Sequence, residues 1–280
     1  LHLRVDIDSF NGLKFGVPNL LKLFKNSNVK ATFFLTLKRE GNIFEYLKYR
    51  KFRKNNKNKN NEYPNSILKS KKSRKSEIIR MLLFPNPLYK KNQIINDILS
   101  CGHELQIHCS KHVVWNKPSH KEALKDLNEA TIIYKRVTGT SPSGFASPYH
   151  SWSANIAQVI KNSNIKYISI HHNKDYPYLC QQTNKLNIPI TISISEKKIP
   201  ICEYFALQGY SGKDITKKAI KHIESESQKK EFLSTYIHPR IEGIELFEEF
   251  SELIEYLSKN YNLNRTFSDL LNHYDNKTIN

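Results

Sequence analysis

The 280-residue sequence predicts an α/β fold in which strand–helix units repeat around a parallel sheet or barrel, and three observations carry that expectation. Short β-branched or aromatic runs (HLRVDI, KATFFLTL, ELQIHC, IKYISI, LNIPITISI and FLSTYIH) alternate with helix-period segments. Two long stripes recur at the spacing of one helix face. Acids and histidines cluster where strands end, the edge at which ligands gather in such folds.

The first strand, HLRVDI, is followed closely by a helix, because Pro18 suits the first turn of the segment carrying Leu20, Leu21, Leu23 and Phe24. KATFFLTL is the second strand and ELQIHC the third. A helix is expected from His120 to Val137, with Ala123, Leu124, Leu127, Ala130, Ile133, Tyr134 and Val137 on one stripe and Gly139 as its stop. A second long helix is expected from Gly243 to Asn260, with Ile244, Phe247, Phe250, Ile254 and Leu257 facing inward. A chain that is 39% hydrophobic can bury a substantial core, so residues 1–280 are read as one domain rather than two equal ones.

Residues 40–92 interrupt the alternation and are read as a basic insertion after the second strand, partly helical and partly disordered. Between Lys48 and Lys75 stand twelve lysines and arginines against Glu62 alone, a large share of the formal charge of +18. Such a charge suits an anionic membrane surface or nucleic acid. Nucleic acid is not expected, because no RRM, KH, helix-turn-helix or zinc-finger pattern accompanies the charge. Ile43, Phe44, Tyr46, Leu47, Tyr49 and Phe52 lie among the basic residues, a mixture that suits a membrane interface. The competing reading is a solvated low-complexity loop. No run of 18 or more apolar residues and no basic-then-apolar leader is visible, so neither a membrane span nor export is expected. Cys101, Cys109, Cys180 and Cys202 form no CxxC pair, which points to a reducing compartment.

RVDIDSF sets Asp6 and Asp8 two residues apart on an apolar strand, hence on one face. The plain alternative is a solvent-facing edge; the chemical reading is one hard oxygen ligand for a divalent ion beside one general base. GHELQIHCSKH places His108 and His112 four apart just after a strand, where a single helical turn would point both imidazoles the same way. FLSTYIHPRIEG places His238 at another strand end, a candidate general acid because histidine titrates near neutrality.

In content and order these motifs resemble those of the polysaccharide deacetylases of the NodB-homology group, over nearly the whole chain apart from the basic insertion. The resemblance implies a distorted (β/α) barrel, Asp6 as base, Asp8, His108 and His112 as ligands of one divalent metal ion, and His238 as general acid. A carboxylate with two imidazoles suits zinc, manganese, cobalt or iron. The family's third motif carries an arginine that pairs with the base. Here Ala146-Ser147-Pro148-Tyr149 keeps the proline and tyrosine, read as the oxyanion and substrate contact, but lacks the arginine. No acidic fourth motif is recognisable in YISIHHNKD.

LRVDIDSFNGLKFGVPNLLKLF, CSKHVVW and YIHPRIEG look most like the bacterial branch that acts on undecaprenyl-phosphate aminosugars. That branch implies removal of an N-acyl group, acetyl being taken ahead of formyl, from a lipid-linked aminosugar used in lipid A modification. It also implies peripheral attachment at the cytoplasmic face of the inner membrane. The alternatives are a deacetylase of peptidoglycan or another polysaccharide, a metal-free structural relative, and a basic nucleic-acid- or membrane-binding protein without catalysis.

Overall fold

Arg4 and Asp6 point into the barrel while Leu3, Val5 and Ile7 point outward under the helices, so the first strand, β1 (His2–Ile7), is buried on both faces. The computed structural model describes residues 1–39, 92–112, 118–170, 174–193 and 199–278. The expected insertion, Asn92 apart, lies outside the described residues, as does the tail of the CSKHVVW segment.

After β1 come α1 (Val17–Asn26), β2 (Thr32–Arg39), α2 (Asn92–Ser100), β3 (Glu104–Lys111) and α3 (His120–Thr138). Pro18 sits in the first turn of α1, as its fixed φ predicts. Ser119 and Glu122 form a reciprocal capping box at the start of α3, and Gly139, at φ 74°, ends it. Of the stripe expected on this helix, Ala123, Leu127, Ala130 and Tyr134 are buried, whereas Leu124 is exposed.

The chain continues through β4 (Gly144–Phe145), α4 (Ala154–Lys161), β5 (Tyr167–Ile168), β6 (Tyr178–Cys180) and β7 (Lys185–Asn187). It ends with α5 (Ile201–Leu207), α6 (Lys213–Ser227), β8 (Ser234–Ile237), α7 (Phe247–Asn260) and α8 (Phe267–Thr278). The long C-terminal helix expected from Gly243 begins later than the stripe suggests. A π-turn at Ile241–Glu245 comes first, and Ile244 is exposed.

The eight strands run β6-β7-β5-β4-β3-β2-β1-β8, all parallel except the β6–β7 pair. The two ends of this sheet meet through irregular chain. Thr191 and Ile192 donate their backbone N–H groups to the Ser234 carbonyl at 3.1 and 2.9 Å, joining the segment after β7 to β8. The result is a distorted (β/α) barrel, as the sequence predicts.

Helix α8 plugs the barrel end opposite the functional residues, where Phe267, Leu270 and Leu271 cluster with Phe34, Tyr167 and Ile188. Glu104 anchors it by accepting from Ser268 N at 3.0 Å, with Thr32 Oγ1, Tyr167 Oη and Gln106 Nε2 each donating at 2.8 Å. A carboxylate at a helix N-terminus also complements the helix dipole.

The turns that follow β1 and β8 touch backbone to backbone. A Cβ on Gly16 would stand 2.0 Å from the Pro239 carbonyl oxygen, and one on Gly243 would stand 2.7 Å from Gly16 O. Glycine at both positions therefore lets the loop carrying Asp8 and the loop carrying His238 share one edge of the barrel. Among the described residues no helix is long and apolar enough to cross a membrane.

Candidate active site

Asp8, His108 and His112 converge at the C-terminal ends of β1 and β3, with one ligand atom from each lying within 4.8 Å of the others. His108 Nε2 is 3.3 Å from Asp8 Oδ1, and His112 Nε2 is 3.3 Å from Asp8 Oδ2. His108 Nδ1 lies 2.8 Å from the Ala146 carbonyl, which can only accept, so Nδ1 carries the proton. In the neutral imidazole, Nε2 then presents its lone pair to a carboxylate oxygen that is itself buried without a hydrogen bond. Two acceptors facing each other in this way fit a cation between them, and the donor set is one that divalent transition metals accept.

The two histidines do not sit on a helical turn as their spacing suggests. His108 belongs to β3 itself, and the strand breaks register with β2 between Ile107 and Lys111. That irregular stretch brings the two rings to a centroid separation of 5.5 Å. Tyr149 packs its ring 4.6 Å from that of His112, and Pro148 is buried beneath it. Tyr149 and His150 hold φ values of 53° and 50°, a left-handed pair that costs about 1–3 kcal/mol per residue. Ser151 Oγ, donating to Pro148 O at 2.7 Å, and Ser147 Oγ, donating to Ser151 O, lock the turn.

Asp6 is held by a residue that motif reading missed. Arg4, two positions earlier on the same face of β1, donates Nε to Oδ1 and Nη2 to Oδ2, both at 2.6 Å. Its Nη1 donates to Ser169 O at 2.7 Å, and the guanidinium lies over Phe34 and Tyr236 at 5.1 and 5.8 Å from the ring centroids. Arg4 is completely buried. The arginine absent at Ala146 is thus replaced from β1, while Ala146 contributes its carbonyl to His108. The period-two rule already sets Arg4 beside Asp6, and that was the available signal.

His238 stands just past β8 with Nε2 3.5 Å from Asp8 Oδ2 and Nδ1 3.4 Å from Glu203 Oε2. Its backbone N–H donates to Glu242 Oε2 at 2.9 Å. Burial lowers an imidazole's pKa, but the Glu203 hydrogen bond and the charges of Asp8, Glu203 and Glu242 overcome it and raise His238 to about 10. Burial and the neighbouring Glu203 push Glu242 up to about 8. Glu203 is an acidic neighbour of His238 that motif reading missed. It comes from α5, with no local pattern linking it to His238.

The polysaccharide deacetylase family model matches residues 7–168, which include Asp8, His108 and His112 but not Asp6 or His238. A Shewanella sediminis protein named "Probable 4-deoxy-4-formamido-L-arabinose-phosphoundecaprenol deformylase ArnD" is 24% identical, the match covering 98% of this chain and 86% of that one. A protein of the same name from Wigglesworthia glossinidia brevipalpis is 28% identical, over 87% of this chain and 82% of its own. Among solved structures, a protein named "probable Polysaccharide deacetylase" from Pseudomonas aeruginosa PAO1 superposes with a TM-score of 0.65 at 14% identity, covering 98% and 89% of the two chains. Puue allantoinase gives the same TM-score, identity and coverage. At these identities the structural matches speak to the fold alone.

Proposed function

The chain belongs to the polysaccharide deacetylase family, and from that premise we propose that it is a metal-dependent hydrolase removing the N-acyl group from an undecaprenyl-phosphate-linked aminosugar. The observation that carries this reading is the convergence of Asp8, His108 and His112, with His108 Nε2 aimed at a buried carboxylate oxygen that has no hydrogen bond. The names of the two relatives favour this substrate class, and they favour formyl over acetyl as the acyl group.

A divalent ion held by Asp8, His108 and His112 would supply Lewis-acid polarisation of the amide carbonyl and acidification of a water. Zinc, manganese, cobalt and iron all suit the donors. Asp6, held by Arg4, takes the proton from the attacking water as the C–O bond forms. His238 delivers a proton to the sugar nitrogen as the C–N bond breaks, so the amine leaves neutral. The turn at Pro148 and Tyr149 is assigned to the acyl side, with a backbone N–H there facing the developing oxyanion.

Mass spectrometry of undecaprenyl-phosphate sugars from cells with and without the protein tests the assignment. An N-acylated lipid-linked aminosugar is expected to accumulate without it. An unchanged lipid-linked sugar profile would count against the substrate.

The basic stretch from Lys48 to Lys75 is assigned to peripheral contact with an anionic membrane, at about 1 kcal/mol per basic residue near the surface. Deleting residues 46–76 is expected to weaken cosedimentation with anionic vesicles. Unchanged sedimentation would remove that role.

A further inference from the structure

In a regular strand the four residue steps from His108 to His112 would span about 13 Å. Yet both imidazole Nε2 atoms lie 3.3 Å from oxygens of one carboxylate, Asp8. Strand β3 closes the gap by breaking its ladder, with Ile107 opposite Leu35, Cys109 opposite Thr36 and Lys111 opposite Arg39. A break of this kind redirects backbone N–H groups, and these need acceptors if the bend is to hold.

Those acceptors come from outside the barrel. Ser110 N donates to Asp126 Oδ2 at 2.8 Å and Lys111 N to Asp126 Oδ1 at 3.2 Å, so one carboxylate on α3 takes two consecutive amides immediately before His112. Glu129, one turn along, accepts from the Ser110 side chain at 3.0 Å and pairs with Lys38 at 3.1 Å, and among the described residues it takes neither amide.

We propose that Asp126 is a positioning residue for the metal site: its carboxylate fixes the bent end of β3 so that His112 meets Asp8 and His108 around one ion. This rests on the reading of those three residues as ligands. An asparagine at 126 keeps one acceptor but turns an NH₂ donor toward the second backbone N–H, releasing half of the clamp.

The test is a zinc titration, in competition with a chelating indicator, of metal-stripped wild-type protein and of Asp126→Asn, Asp126→Glu, Glu129→Gln and His112→Ala. It is run at mildly alkaline pH, where Asp126, raised by burial to about 6, carries its charge. The thermal midpoint of each metal-free form is measured alongside. Asp126→Asn is expected to weaken zinc binding about 10- to 100-fold, while Glu129→Gln is expected to leave it unchanged. Asp126→Glu, which keeps the charge and lengthens the reach, is expected to fall between, and it serves the test even where the asparagine variant fails to fold. Wild-type zinc affinity in the folded Asp126 variants would overturn the proposal, whatever happens to their midpoints. A wild-type affinity indifferent to His112→Ala would instead contradict the ligand reading itself and the proposal with it.

Discussion

Replacing Arg4 with methionine is expected to lower kcat by about 10²- to 10⁴-fold and to destabilise the protein by about 3–5 kcal/mol. The stability loss follows from burial: Arg4 is 0% and Asp6 3% exposed, so removing the guanidinium leaves a carboxylate in the barrel without its counter-ion. The rate loss follows from geometry, since the paired bonds at 2.6 Å fix the orientation of the base. Arg4→Lys is expected to lie between, because an ammonium cannot make the bidentate fork. The double change Arg4→Met with Asp6→Leu separates the two effects. It should recover much of the stability in urea unfolding while remaining inactive, since replacing a whole buried ion pair by apolar residues costs little. A methionine variant with wild-type kcat would remove Arg4 from the account of the base.

His238→Asn is expected to lower kcat by about 10²- to 10⁴-fold while leaving bound metal unchanged, because His238 is read as a proton donor and not as a ligand. A variant that instead loses its metal would make His238 part of the coordination. The same substitution carries a pH signature. With its folded pKa raised from 6.5 to about 10, chiefly by Glu203 and Asp8 against the cost of burial, His238 contributes stability that is fully present below about 6.5 and lost as pH rises through about 10. Metal-free wild-type protein should therefore lose stability across that window more steeply than His238→Asn, as read by thermal midpoints at a series of pH values. Parallel curves would contradict the Glu203 contact.

That Asp6, Asp8, His108, His112 and His238 would gather at one end of the barrel was legible because acids and histidines stood where apolar runs stopped, and strand ends in an α/β barrel share one face. The alternation also announced the barrel, and the helix stripe with Gly139 placed α3 to within a residue. Arg4 was not singled out, although its spacing from Asp6 is visible. Whether that face looks into a barrel or into water depends on closure, which runs through the irregular segment around Thr191. Glu203 and Asp126 were hidden for a different reason. Each acts across elements, Glu203 on an imidazole 35 residues away in sequence and Asp126 on amides 15 and 16 residues away. The helical turn expected for His108 and His112 failed because spacing of four suits a helix by default, whereas a broken strand leaves no periodic mark.

The most direct test of the central claim is bound metal per chain, measured together with amide hydrolysis as metal-stripped protein is reloaded, in wild type and in Asp8→Ala. The expected result is one ion per wild-type chain, hydrolysis rising in step with occupancy, and loss of both in Asp8→Ala. Full hydrolysis by metal-free protein, or an Asp8→Ala variant that binds and turns over as wild type does, would contradict it.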